Sequence, residues 1–158
     1  METKLKKLIL LFILAALPMR MALAEEIQIQ VLRLKPGQDV KVEIDAYVKA
    51  HALHAASVIS AVGSLNEANI RFANKDKSTV IKGPLEVVSL SGTLGLDGDH
   101  LHIAVSDGAG KTTGGHLVEG NKVFTTMELV IGVYPSLIFK RTLDSASGYK
   151  ELDIQKHQ

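Results

Sequence analysis

The stretch His100-Leu101-His102-Ile103-Ala104-Val105-Ser106 alternates without a break. Leu101, Ile103 and Val105 fall on one side, while His100, His102, Ala104 and Ser106 fall on the other. That is the period of a β-strand with one face on a core. Turn-forming residues bound it, Leu96-Asp97-Gly98-Asp99 before and Asp107-Gly108 after.

Outward from this strand the same signature repeats. Ala56–Val62, Ala68–Ala73, Leu85–Thr93, His116–Glu119, Val123–Val133 and Leu137–Leu143 are β-like runs. Turns such as Gly63-Ser64 and Lys82-Gly83-Pro84 separate them. Ile27-Gln28-Ile29-Gln30-Val31 reads as a further strand, and the turn Lys35–Asp39 ends in a good helix N-cap, Asp39. Val40, Ile44, Tyr47, Val48 and His51 then share one face of an amphipathic helix of about three turns. A polar tail follows Leu143. The expected class is α+β, an antiparallel or mixed sheet of about seven strands with one main amphipathic helix.

The histidine side of the opening strand faces away from the core. His116 follows a glycine-rich loop, Asp107–Gly115, which can return it beside His102. Three imidazoles from adjacent strands are the ligand set of a catalytic zinc with its fourth position open, and copper, nickel or iron would also accept them. The competing reading is a hydrogen-bonded surface group. Gly110-Lys111-Thr112 is not a phosphate loop, because Val105 stands where that motif needs its first glycine and a strand follows instead of a helix. Its glycines suit a turn and close backbone approach near the histidines.

Two carboxylates are candidates for proton transfer beside a metal, Glu128 and Glu86, each inside an apolar strand. A two-residue Gly120-Asn121 hairpin would point Glu128 away from His116, and a three-residue loop would reverse that. The alternative for Glu128 is a salt-bridged edge or interface residue. His51 and His54 suit capping and packing at the helix C-terminus, and His157 a frayed tail.

The chain has 158 residues, no cysteine and a formal charge of +1. Lys4, Lys6 and Lys7 precede the apolar run Leu8–Leu17, and Ala22-Leu23-Ala24 follows Pro18. These are the parts of a secretory signal peptide cut after Ala24. The apolar run spans ~15 Å at 1.5 Å per residue, half of a ~30 Å hydrocarbon core, which argues against a membrane anchor. Loss of Met1–Ala24 removes four basic residues and one acid, leaving 134 residues, 14 basic against 16 acidic, at net −2. Residues 25–158 then form one domain, exported to the periplasm or secreted, with no membrane attachment after cleavage. An acidic chain without a basic patch gives no reason to expect nucleic acid.

Several motifs come in a fixed order: Gly63-Ser64-Leu65, Gly83-Pro84-Leu85-Glu86-Val87-Val88-Ser89-Leu90-Ser91-Gly92-Thr93-Leu94, His100-Leu101-His102, Gly114-Gly115-His116-Leu117, Thr126-Met127-Glu128 and Gly148-Tyr149-Lys150-Glu151-Leu152. In that order the chain resembles the plants-and-prokaryotes-conserved (PPC) domain, a domain of unknown function, from about Ile27 to Leu152. The resemblance implies a helix-flanked sheet assembled as a homotrimer. In plants the domain accompanies an AT-hook, but no Arg-Gly-Arg-Pro hook is present here. The fold is also similar to that of acetolactate decarboxylase, which holds zinc through a His-x-His pair and a later histidine. This strengthens the case for a metal on His100, His102 and His116. Two functional expectations follow. One is metal-assisted hydrolysis or lysis of a small oxygenated substrate. The other is a non-catalytic trimeric module that binds a small ligand or holds a structural metal or none.

Overall fold

The computed structural model describes residues 26–157. The segment Met1–Ala24, expected to be a cleaved signal peptide, lies outside them. Among the described residues, eight strands and one helix follow in order: β1 (Gln28–Leu34), α1 (Val40–Ala50), β2 (Ala56–Arg71), β3 (Thr79–Leu94), β4 (His100–Ser106), β5 (Thr112–Leu117), β6 (Lys122–Val133), β7 (Leu137–Leu143) and β8 (Lys150–Lys156). The expected α+β class holds.

Six strands form one antiparallel sheet ordered β1-β6-β2-β3-β4-β5. Strand β2 runs through its centre and bends. One of its edges pairs with β3; the other pairs with β6 over Ala56–Glu67 and then with β5 at Ile70 and Arg71. Because β5 also pairs with β4, and β4 with β3, strands β2 to β5 close into a ring. Leu65, Ile70, Leu94, Ile103, Met127, Leu129 and Ile131 fill the interior, each buried. Alternation of buried and exposed residues, interrupted at bulges, aims these side chains inward from β2, β3, β4 and β6.

Helix α1 buries Val40, Ile44 and Val48 in the same core. The N-cap reading of Asp39 is correct, since its side chain accepts from the amides of Lys41 and Val42 at 3.1 and 3.4 Å. Asp39 also accepts from the Gly120 amide at 2.7 Å and faces Lys122 Nζ at 3.3 Å, which ties the helix start to the turn before β6.

Three local expectations need correction. Gly63-Ser64 and Lys82–Pro84, read as turns, lie inside the long strands β2 and β3. Glycine at 63 marks close approach, since a Cβ there would sit 2.3 Å from the Thr126 carbonyl oxygen. Second, β5 begins at Thr112, so His116 stands near its end. The preceding turn is short because Asp107 Oδ1 accepts from the amides of Ala109 and Lys111 at 2.9 and 3.0 Å. Third, the tail forms β8, which pairs with β7 from Leu137↔Lys156 to Leu143↔Lys150. His157 is likewise anchored, its amide donating to the Ser136 carbonyl at 2.6 Å.

Candidate metal centre

The register of the ring assembles the site. His102 on β4 stands opposite Ser91 on β3 and His116 on β5, and His116 stands opposite Arg71 on β2. Side chains directly across a ladder share a face, so Ser91, His102, His116 and Arg71 form one transverse row. His100 lies two residues before His102 and opposite Thr93, which places it on the same face. Meanwhile Leu101, Ile103 and Val105 are buried, as the alternation requires.

Close backbone approach is needed for this row. A Cβ on Gly115 would lie 2.6 Å from the Arg71 carbonyl oxygen, and one on Gly92 would lie 1.9 Å from that of His100. Gly92 also has φ +142°, a conformation that side-chain-bearing residues avoid. The expectation that glycines near the histidines permit close packing is met at Gly115.

The three imidazoles converge. His102 Nε2 lies 3.1 Å from His100 Nε2 and 3.2 Å from His116 Nδ1. The rings of His100 and His116 are nearly parallel, with centroids 5.3 Å apart, and His102 stands edge-on to both. Ligand nitrogens on a tetrahedral zinc with ~2.0–2.1 Å bonds are separated by about 3.3 Å, so these separations suit a shared ion. All three ligand atoms fall within 4.8 Å of one another, and the three histidines are positioned to hold a metal ion.

Electrostatics favour the ligating form of the outer two. Partial burial lowers the pKa of His100 from its ordinary value, and the charges of His102 and Arg141 lower it further. Burial likewise lowers that of His116, followed by Arg71 and then the other two histidines. A neutral imidazole keeps the lone pair that a metal requires.

Two open clefts flank the triad. The smaller, of about 320 Å³, is lined by His100, His102, Arg141 and Glu151 among others. The larger, of about 810 Å³, is lined by Arg71, His100, His116, Arg141 and Glu151. Arg141 and Glu151 come from the β7–β8 hairpin. That hairpin is fixed beside the ring by the Arg141 amide on Asp97 Oδ2 (2.8 Å) and by Arg141 Nη2 on Thr93 Oγ1 (2.6 Å). Asp99, just before His100, is held by Lys41 Nζ at 2.9 Å.

Glu128 and Glu86 are not brought to this centre. Glu128 is exposed on β6 opposite Arg33 and Val62, and Glu86 is exposed on β3 opposite Ser106. Neither lines either cleft. Ser106 lies four residues along β4 from His102, about 13 Å at strand rise. The Gly120-Asn121 hairpin considered for Glu128 does not form, since β5 pairs with β4 and β2 while β6 pairs with β1 and β2. Glu151 is the carboxylate that lines both clefts beside the histidines, and only a strand reading of the tail would have pointed to it. His51 takes the expected capping place, stacked on Tyr47 with ring centroids 4.0 Å apart.

The molecule is thus a small β-ring domain with three converging histidines on its outer face. The sequence profile of the Plants and Prokaryotes Conserved (PCC) domain matches residues 21–135, and the chain belongs to that family. It is 45% identical over 125 residues to a bifunctional protein GlmU from Synechococcus sp. (strain JA-3-3Ab), covering 79% of this chain. The chain spans only 20% of that relative's length. Among solved structures, a hypothetical protein from Salmonella cholerae-suis (Salmonella enterica) is 44% identical with a TM-score of 0.83, over 85% of this chain and 98% of that one. A metal-containing protein from Archaeoglobus fulgidus is 25% identical with a TM-score of 0.69, over 82% of this chain and 96% of that one.

Proposed function

We propose that this domain binds one divalent transition metal, most suitably zinc, on His100, His102 and His116, and that the metal serves hydrolysis or lysis of a small oxygenated substrate. The observation that carries this is the convergence of three imidazole nitrogens on an exposed face, 3.1 and 3.2 Å apart. Similarity to a metal-containing Archaeoglobus protein supports it. Zinc supplies Lewis acidity toward a carbonyl or a bound water. The protein's part is positional: β4 and β5 hold the three nitrogens, and Glu151 provides a carboxylate able to take or give a proton. The open clefts on both sides give a substrate access.

The deciding experiment is metal analysis of purified protein by inductively coupled plasma mass spectrometry, with melting in added zinc. One equivalent of metal and a zinc-dependent rise in Tm, both lost in His102→Ala, are expected. An absence of stoichiometric metal together with a Tm in zinc that His102→Ala leaves unchanged would refute the proposal. A non-catalytic module is the second reading, favoured if the metal resists exchange and admits no exogenous ligand.

We further propose the homotrimer that family resemblance implies, and export with cleavage after Ala24. Exposed apolar residues support self-association: Ile27 and Ile59 converge over Gly132 on the outer face, and Ile29 and Val31 continue the patch. Light scattering of the mature chain tests the trimer, and N-terminal sequencing of the exported protein tests the cut.

A further inference from the structure

Guanidinium groups stand on both sides of the three histidines. Arg71 is the cross-strand neighbour of His116. Arg141 reaches from the hairpin to Thr93, the cross-strand neighbour of His100. Neither arginine forms an ion pair among the described residues. Arg71 has one hydrogen bond there, from Nη1 to the Lys75 carbonyl at 3.2 Å. Arg141 Nε is buried with no acceptor. Buried donors in folded proteins are nearly always paired, and an unpaired one beside a cleft points to a missing acceptor.

The ligand set adds to this. Three neutral imidazoles leave the full charge of a divalent ion uncompensated, unlike a set that includes carboxylates. The larger cleft adds cations from Lys75 and Lys150, while one of its acids, Asp99, is engaged by Lys41. We infer that the site takes a small organic monoanion, its carboxylate held in the larger cleft that Arg141 and Arg71 both line, while a neighbouring oxygen of the same molecule meets the metal. A planar carboxylate matches the guanidinium fork. Glu151, which lines both clefts, disfavours a more highly charged phosphate. This inference rests on the metal reading above and specifies the substrate class for it.

Cobalt(II)-loaded protein provides the test, with its visible absorption as the readout. Lactate and lactamide serve as probes, because both keep the hydroxyl and they differ in charge. Lactate should shift the spectrum saturably at concentrations at least tenfold lower than lactamide. Arg141→Gln and Arg71→Gln should each weaken lactate about tenfold, leave lactamide unchanged and keep cobalt affinity within about threefold. Arg141→Lys, which preserves charge, should retain part of the preference, and a melting curve establishes that each variant is folded.

Equal binding of lactate and lactamide to a protein that holds cobalt would overturn the anion inference and leave the metal site standing. So would indifference of lactate binding to both arginine variants. Saturation by inorganic phosphate without a response to lactate would overturn the choice of carboxylate. Failure of the wild-type chain to take up cobalt would sink the metal reading, and this inference with it.

Discussion

Arg71 and His116 face each other across one of the two register pairs that join β5 to β2 and close the ring. The contact that seals the ring therefore also sets a permanent cation beside an imidazole of the three-histidine cluster. Fold closure and site electrostatics meet at the same residues, closure through the backbone ladder and charge through the Arg71 side chain, so a side-chain substitution acts on the second with the ladder in place.

In the metal-free protein, His100 and His116 should both titrate below the ordinary value of 6.5. Arg71→Gln should raise the pKa of His116 selectively, and Arg141→Gln that of His100. Ring-proton chemical shifts followed against pH read both. A lowered folded-state pKa means the unfolded chain binds protons first. The metal-free fold is then at full stability above pH 6.5 and loses stability as pH falls toward the folded values.

Gly115→Ala should damage the seam directly. Its Cβ would fall 2.6 Å from a backbone oxygen of Arg71, which cannot move without disturbing β2. A loss of about 1–3 kcal/mol in urea unfolding is expected, as for other overpacked positions. Because Arg71 and His116 flank the clash, zinc affinity should fall as well.

Asp39→Ala removes an N-cap, the acceptor for the Gly120 amide and a partner of Lys122 in one step. A cost of about 1–2 kcal/mol is expected, combining a lost cap with a half-buried amide that loses its acceptor. Asp39→Asn, which keeps an acceptor, should recover part of it. Chemical denaturation of the three proteins provides the measurement.

Asp144 controls the turn of the β7–β8 hairpin. Its carboxylate accepts from the amides of Ser147 and Ala146, which lowers its pKa below the ordinary 3.8. The turn should therefore keep its full stability above pH 3.8 and lose it as pH falls through the folded value. Amide shifts of Ala146 and Ser147 should titrate together, and Asp144→Asn should abolish that titration.

The sequence made the histidine pair legible because both partners of His-x-His lie on one strand, where period two decides their side. The pairing of His116 with His102 was also legible, since a short turn joins β4 to β5. The placement of Glu128 was not. It depends on whether β6 pairs with its chain neighbour, and β6 instead lies between β1 and β2. Such long-range pairing leaves no local signal. Glycines at 63 and 83 misled for a related reason. In sequence they resemble turn residues, whereas here they sit where neighbouring strands come too close for a side chain. Arg141 escaped notice because nothing local ties its strand, itself legible as Leu137–Leu143, to the histidines, and Glu151 because charge dominates the tail and hides the alternation of Leu152 and Ile154 that makes it a strand.

The histidine nitrogens and part of the charge around them are carried on different pieces of chain. His100, His102 and His116 belong to the ring, whereas Arg141 and Glu151 belong to a two-strand flap that forms its own sheet. Residue changes in the flap can alter what the site accepts without altering what it coordinates. On the proposed reading the ring is a socket with one fixed cation, Arg71, and an exchangeable selector beside it, so grafting a relative's 137–156 hairpin onto this ring should change the Arg141 and Glu151 share of ligand preference while leaving metal uptake intact.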